Sequence, residues 1–130
     1  MKIIRLKKGD LVLETLQSKL LKMNGGLVVG LGAVSWAKLK IYNLERKTYS
    51  SKKIDGPLEV VSFSATIAKT PENITGLHAH IVVSNDKFNV FGGHLKEAEV
   101  AATFEAAIIE SGSEIKRYFD KKIGLNLIKD

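Results

Sequence analysis

His78, His80 and His94 are the only histidines in this chain of 130 residues, and all three lie in GLHAHIVVSNDKFNVFGGHL, residues 76–95. Neutral imidazoles are ligands for Zn²⁺ and similar divalent transition metals, and three of them leave a fourth position for water, a carboxylate or another ligand. Whether these three can meet depends on local structure. His78 and His80 share one face of a strand while Leu77, Ala79 and Ile81 take the other. If NDKFN at 85–89 is a hairpin loop, Ser84 faces Val90 and the ladder sets His80 opposite His94, with Cβ atoms ~5 Å apart. A change of one residue in loop length, or a bulge at Gly92 and Gly93, shifts that pairing. The alternative is a polar strip whose second ring nitrogens bond to backbone carbonyls. The expectation carried forward is a metal or small-ligand site at His78, His80 and His94.

Other chemistry has less to stand on. The chain has no cysteine, so disulfides, thiolate catalysis and cysteine-ligated zinc are excluded. Ser62, Ser64 and Ser84 lack a nucleophile-elbow setting. Glu59, Glu97, Glu99 and Glu105 are carboxylates without paired spacing, available as acids or as a fourth ligand. No catalytic residue can therefore be assigned, and a metal-activated water is the main route left to an enzyme. The balance is against catalysis. GLGAVS at 30–35 resembles a dinucleotide loop, but alternating strand follows it where a helix is required.

The net charge is +6 and almost all of it is lysine, arginine being confined to Arg5, Arg46 and Arg117. Lys38 and Lys40 alternate with Ala37, Leu39 and Ile41, the pattern of a wet strand face. ERKTYSSKK at 45–53 is the densest basic stretch. Specific nucleic-acid readers carry clustered arginine or a recognisable motif, so nucleic acid is a weakly supported partner. An apolar fraction of 45% and the absence of an apolar run of about 18 residues point to a soluble protein without a membrane span. MKIIRLKKGD reads as a mature strand and not as a leader, and a cytoplasmic location is expected.

The elements that must position the histidines follow from periodicity. A strand over about 2–7 precedes a helix in GDLVLETLQSKLLKMNGG, with Asp10 as its expected cap and Leu13, Leu16, Leu20 and Met23 as its stripe. Asn24, Gly25 and Gly26 are expected to stop it. Strands follow in LVVGLGAVSWAKLKIYN, with a bulge at Gly30 and Gly32; around 47–54; and, after punctuation at DGP (55–57), in LEVVSFSATIA. The histidine hairpin, EVAATFEAAIIE and two short strands at EIKRYFD and GLNLI complete the chain. The expected fold class is α+β: one main helix packed on a curled, largely antiparallel sheet of seven or eight strands, forming a single domain over 1–130.

GLGAVSWAKLKIYN, LEVVSFSATIA, LHAHIVVSNDKFNVFGGHL and RYFDKKIGLNLI together resemble the plants and prokaryotes conserved (PPC) domain, in the form that lacks an AT-hook. The resemblance spans nearly the whole chain, and the histidine hairpin with FGGHL is its most specific part. It implies one helix on an antiparallel sheet, a homotrimer, and a metal site at the positions of His78, His80 and His94. Two departures stand out. Ala65 and Thr66 replace a Gly-Asn pair, and the AT-hook through which plant members bind DNA is missing. A DNA-associated regulatory protein is thus the alternative reading, and a metal-dependent enzyme the third.

Overall fold

A computed structural model describes residues 1–129. The chain runs β1 (Lys2–Lys7), α1 (Val12–Leu20), β2 (Gly25–Asn43), β3 (Thr48–Lys69), β4 (Thr75–Ser84), β5 (Val90–Glu110), β6 (Arg117–Asp120) and β7 (Leu125–Ile128). The expected α+β class is not what forms: strands make up 68% of the chain and helix 7%. Among the described residues, one sheet has five strands in the order β1-β5-β2-β3-β4, and a separate sheet pairs β6 with β7.

Continuity of the strands explains the difference. β2, β3 and β5 are 19, 22 and 21 residues long, against nine for the helix. The DGP stretch does not end a strand. Gly56 and Pro57 lie opposite Ser35 at a register shift between Val34 and Trp36, so β3 passes through. Proline is tolerated there because its nitrogen has no ladder bond to make at a bulge. FGG and EVAATFEAAIIE likewise belong to one strand, β5. The bulge expected at Gly30 and Gly32 is present, and β3 and β5 both shift register beside it. A Cβ at Gly32 would lie 2.2 Å from the Thr103 carbonyl oxygen, so only glycine allows β2 and β5 to approach this closely.

β5 pairs with β1 and β2, and near Val90–His94 it also pairs with β4, so the sheet closes on itself. Leu58, Val60, Phe63, Ile81, Val83, Leu95, Val100 and Phe104 fill the interior of this closed section. The helix lays Val12, Leu16 and Leu20 onto the same core, with Leu13 and Met23 partly buried beside them. Its cap is not Asp10, whose carboxylate accepts from the Lys7 amide at 2.9 Å. Glu97 of β5 takes that role, Oε1 accepting from Leu13 N at 2.8 Å and Oε2 from Glu14 N at 3.1 Å. A carboxylate suits the positive end of a helix dipole. The helix stops at Leu20, and Gly25 and Gly26 open β2 instead of capping it. No helix among the described residues is long and apolar enough to cross a membrane.

Candidate metal centre

The hairpin between β4 and β5 is held by its own loop. Asn85 N donates to Asn89 O, Phe88 N donates to Asn85 O, and Asn85 Oδ1 accepts from the amides of Lys87 and Asn89, each at 3.0 Å. That closure fixes the register as Ser84 opposite Val90 and His80 opposite His94, the pairing expected from a five-residue loop. Ala79, Ile81 and Val83 are buried, so alternation turns His78 and His80 to the outside of the closed sheet.

All three imidazoles converge there. Ring centroids are 5.0 Å apart for His78 and His80, 5.0 Å for His78 and His94, and 5.6 Å for His80 and His94. One ligand atom from each lies within 4.8 Å of the others. A tetrahedral ion with Zn–N bonds of about 2.0–2.1 Å spaces its ligands roughly 3.3 Å apart, so side-chain rotations closing the widest pair by ~1.5 Å would seat one. The donor set therefore fits a zinc-like divalent ion. Electrostatics agree: burial lowers His94 to about 4, with Lys40, His78 and His80 adding to the effect. Burial, then the Arg117 guanidinium and His80, also lower His78. Imidazoles that resist protonation are ready to ligate. The carboxylates considered as a fourth ligand do not join them in this cluster, and Glu97 is engaged at the helix.

Two cavities of about 290 Å³ flank His78. The first lies between β4 and the β6–β7 hairpin and is lined by His78, His94, Tyr49, Arg117 and leucines. The second opens beside Leu27, Val29, Ser64 and Thr66, next to His78 and His80. Arg117 and Thr66 escaped the sequence reading as site residues. Arg117 stood out in sequence only as one of three arginines, and nothing local tied it to the histidines. In the fold, Thr66 is the cross-strand partner of His78, and Arg117 Nη2 donates to Thr66 Oγ1 at 2.5 Å.

The fold recurs in solved structures. A metal-containing protein from Archaeoglobus fulgidus is 29% identical, with a TM-score of 0.89 over 99% of this chain and 92% of that one. A plant- and prokaryote-conserved protein from Pyrococcus horikoshii is 25% identical, with a TM-score of 0.89 over 99% of this chain and 90% of that one. A candidate DNA-binding protein from Bacteroides thetaiotaomicron is 23% identical, with a TM-score of 0.91 over 98% of this chain and 90% of that one. No curated protein matches the sequence. Residues 1–112 match the family model described as the Plants and Prokaryotes Conserved (PCC) domain, so the chain belongs to that family.

Proposed function

We propose that this protein is a PPC-family metal-binding protein in which His78, His80 and His94 hold a zinc-like divalent ion and leave a coordination position open to a small ligand. The observation that carries this reading is the convergence of three imidazole nitrogens within 4.8 Å on one hairpin. The metal-containing relative from Archaeoglobus fulgidus, similar over nearly the whole chain, supports it. The test is metal content of protein purified without a histidine tag, followed by thermal unfolding with added zinc. Bound zinc or zinc-dependent stabilisation, lost in His80→Ala, is expected; neither metal content nor a shift would reject the reading.

The working assembly in this proposal is a homotrimer of single-domain chains. Leu27, Val29 and Leu31 alternate along the outer face of β2, with Ile109 of β5 paired to Leu27, and all four are exposed. A contiguous apolar stripe of this kind favours a second copy of the chain as its cover. Sedimentation of the intact protein tests this, a monomer at micromolar concentration being the contrary result.

A second reading, DNA association, has one observation of its own. Lys38 and Lys53 flank the Trp36 ring at 5.5 and 5.4 Å, and Lys40 sits 4.7 Å from the Tyr49 ring, a basic and aromatic strip along β2 and β3. The Bacteroides relative lends it support. Absence of any mobility shift with duplex DNA at low salt would exclude this reading, and steeply salt-sensitive binding would assign it to phosphate contacts.

A further inference from the structure

The cavity between the histidines and the β6–β7 hairpin has features that the metal alone does not use. It is formed partly by residues 113–128, beyond the segment matched by the family model. That segment is fastened at several points. Lys69 N donates to Ile115 O at 2.7 Å and Ile115 N to Asn24 O at 3.0 Å, while Ile115 packs where a Cβ on Gly25 would stand. At the far end, Tyr42 Oη donates to Ile123 O at 2.7 Å and Lys47 Nζ to Lys121 O at 3.2 Å. The hairpin is thereby tied to the ends of β2 and β3, and the cavity lies between it and the His78 end of β4.

Arg117 is the residue it delivers. The guanidinium is anchored by Thr66 Oγ1 and by the Asn126 carbonyl oxygen, the latter at 3.3 Å, and lines the same cavity as His78 and His94. None of the described residues lining that cavity is acidic, while Leu77, Leu125 and Leu127 give it an apolar wall. A divalent ion on three neutral imidazoles beside a guanidinium leaves several positive charges in a half-buried space with no internal counter-charge. An anion is the natural complement. The planar fork of arginine matches a carboxylate, and the leucine wall suits a short carbon chain. A cavity of about 290 Å³ is at the small end of ligand sites.

We infer that this cavity binds a small aliphatic carboxylate, with Arg117 clamping the carboxylate beside the metal held by His78, His80 and His94. This rests on the metal reading, and the test separates the two. Zinc affinity is first measured by competition with a chromogenic chelator for the wild type, Arg117→Gln and Arg117→Lys, which also shows that each variant folds a competent site. Calorimetric titration with butyrate, butyramide and inorganic phosphate follows on the zinc-loaded proteins. Expected are butyrate binding in the wild type, weakening by about ten- to hundredfold in Arg117→Gln and for the neutral amide, and unimpaired zinc affinity in the variant. Zinc binding with no butyrate binding, with binding indifferent to Arg117, or with phosphate preferred overturns the carboxylate site and leaves the metal reading standing. If zinc does not bind, the metal reading fails by itself. Butyrate titrated into the metal-free protein then decides the clamp: binding lost in Arg117→Gln supports it, and no binding rejects it.

Discussion

His80 and His94 face each other across the β4–β5 ladder, and theirs is the last pair before the two strands part. One histidine therefore reports on each side of the seam that closes the sheet, and His78 joins from the diverging end of β4. The geometry ties ligand convergence to strand register, so changes at the site and changes at the seam should be separable by experiment.

Removing one of the proposed ligands tests the site with little disturbance of the core, because His80 is exposed. At free zinc near 100 times Kd, ligand linkage predicts stabilisation of the wild type by about 2.7 kcal/mol. His80→Ala should show almost none of it while unfolding at nearly the wild-type temperature without metal. Calorimetric melting with and without zinc reads both quantities.

The metal-free protein should lose stability in mild acid. Burial lowers His94 to about 4 and His78 in the same direction, so the folded state takes up these protons less readily than the unfolded chain, in which histidine titrates near 6.5. Groups lowered in this sense contribute fully above pH 6.5, and their contribution falls as pH drops from 6.5 towards 4. Urea midpoints across that range should decline, and His94→Asn should flatten the decline. A curve unchanged by the substitution would contradict this.

Glu97→Ala should weaken folding without touching the histidines. It removes the carboxylate that accepts from Leu13 and Glu14 at the start of α1. Loss of such a cap costs about 0.5–2 kcal/mol. Chemical denaturation should register that cost, and zinc affinity should stay at the wild-type value.

Gly32→Ala should be worse than its size implies. The new methyl would meet the Thr103 carbonyl oxygen at 2.2 Å, backbone that cannot rotate away. Destabilisation above about 1 kcal/mol is expected, visible as a lowered melting temperature. A neutral result would mean that the β2–β5 approach is looser than the ladder indicates.

The hairpin was legible because its information is local. Loop length and the two-residue period of β4 and β5 suffice to bring His80 opposite His94, with no knowledge of the remaining chain. Asp10 misled for the opposite reason: a local capping residue was at hand, but the group that caps is Glu97, 84 residues from Leu13. Arg117 and Thr66 meet across 51 residues, a juxtaposition that periodicity does not encode. Thr66 is also one of the two residues standing where the resemblance implies a Gly-Asn pair, and it is where this chain anchors its arginine. The DGP stretch read as a break because turn signals and bulge signals share residue types; only the pairing on both flanks tells them apart.

Closure of the sheet through β5 has a consequence beyond ligand geometry. An open sheet presents rows of unpaired amides that recruit other chains, and pairing β4 to β5 takes the 80–84 segment out of that danger. Further along the same edge of β5, β1 forms the sheet border and exposes Lys2, Arg5 and Lys7. Those charges discourage edge-to-edge stacking, so the seam and the basic border together guard a strand-rich chain against aggregation.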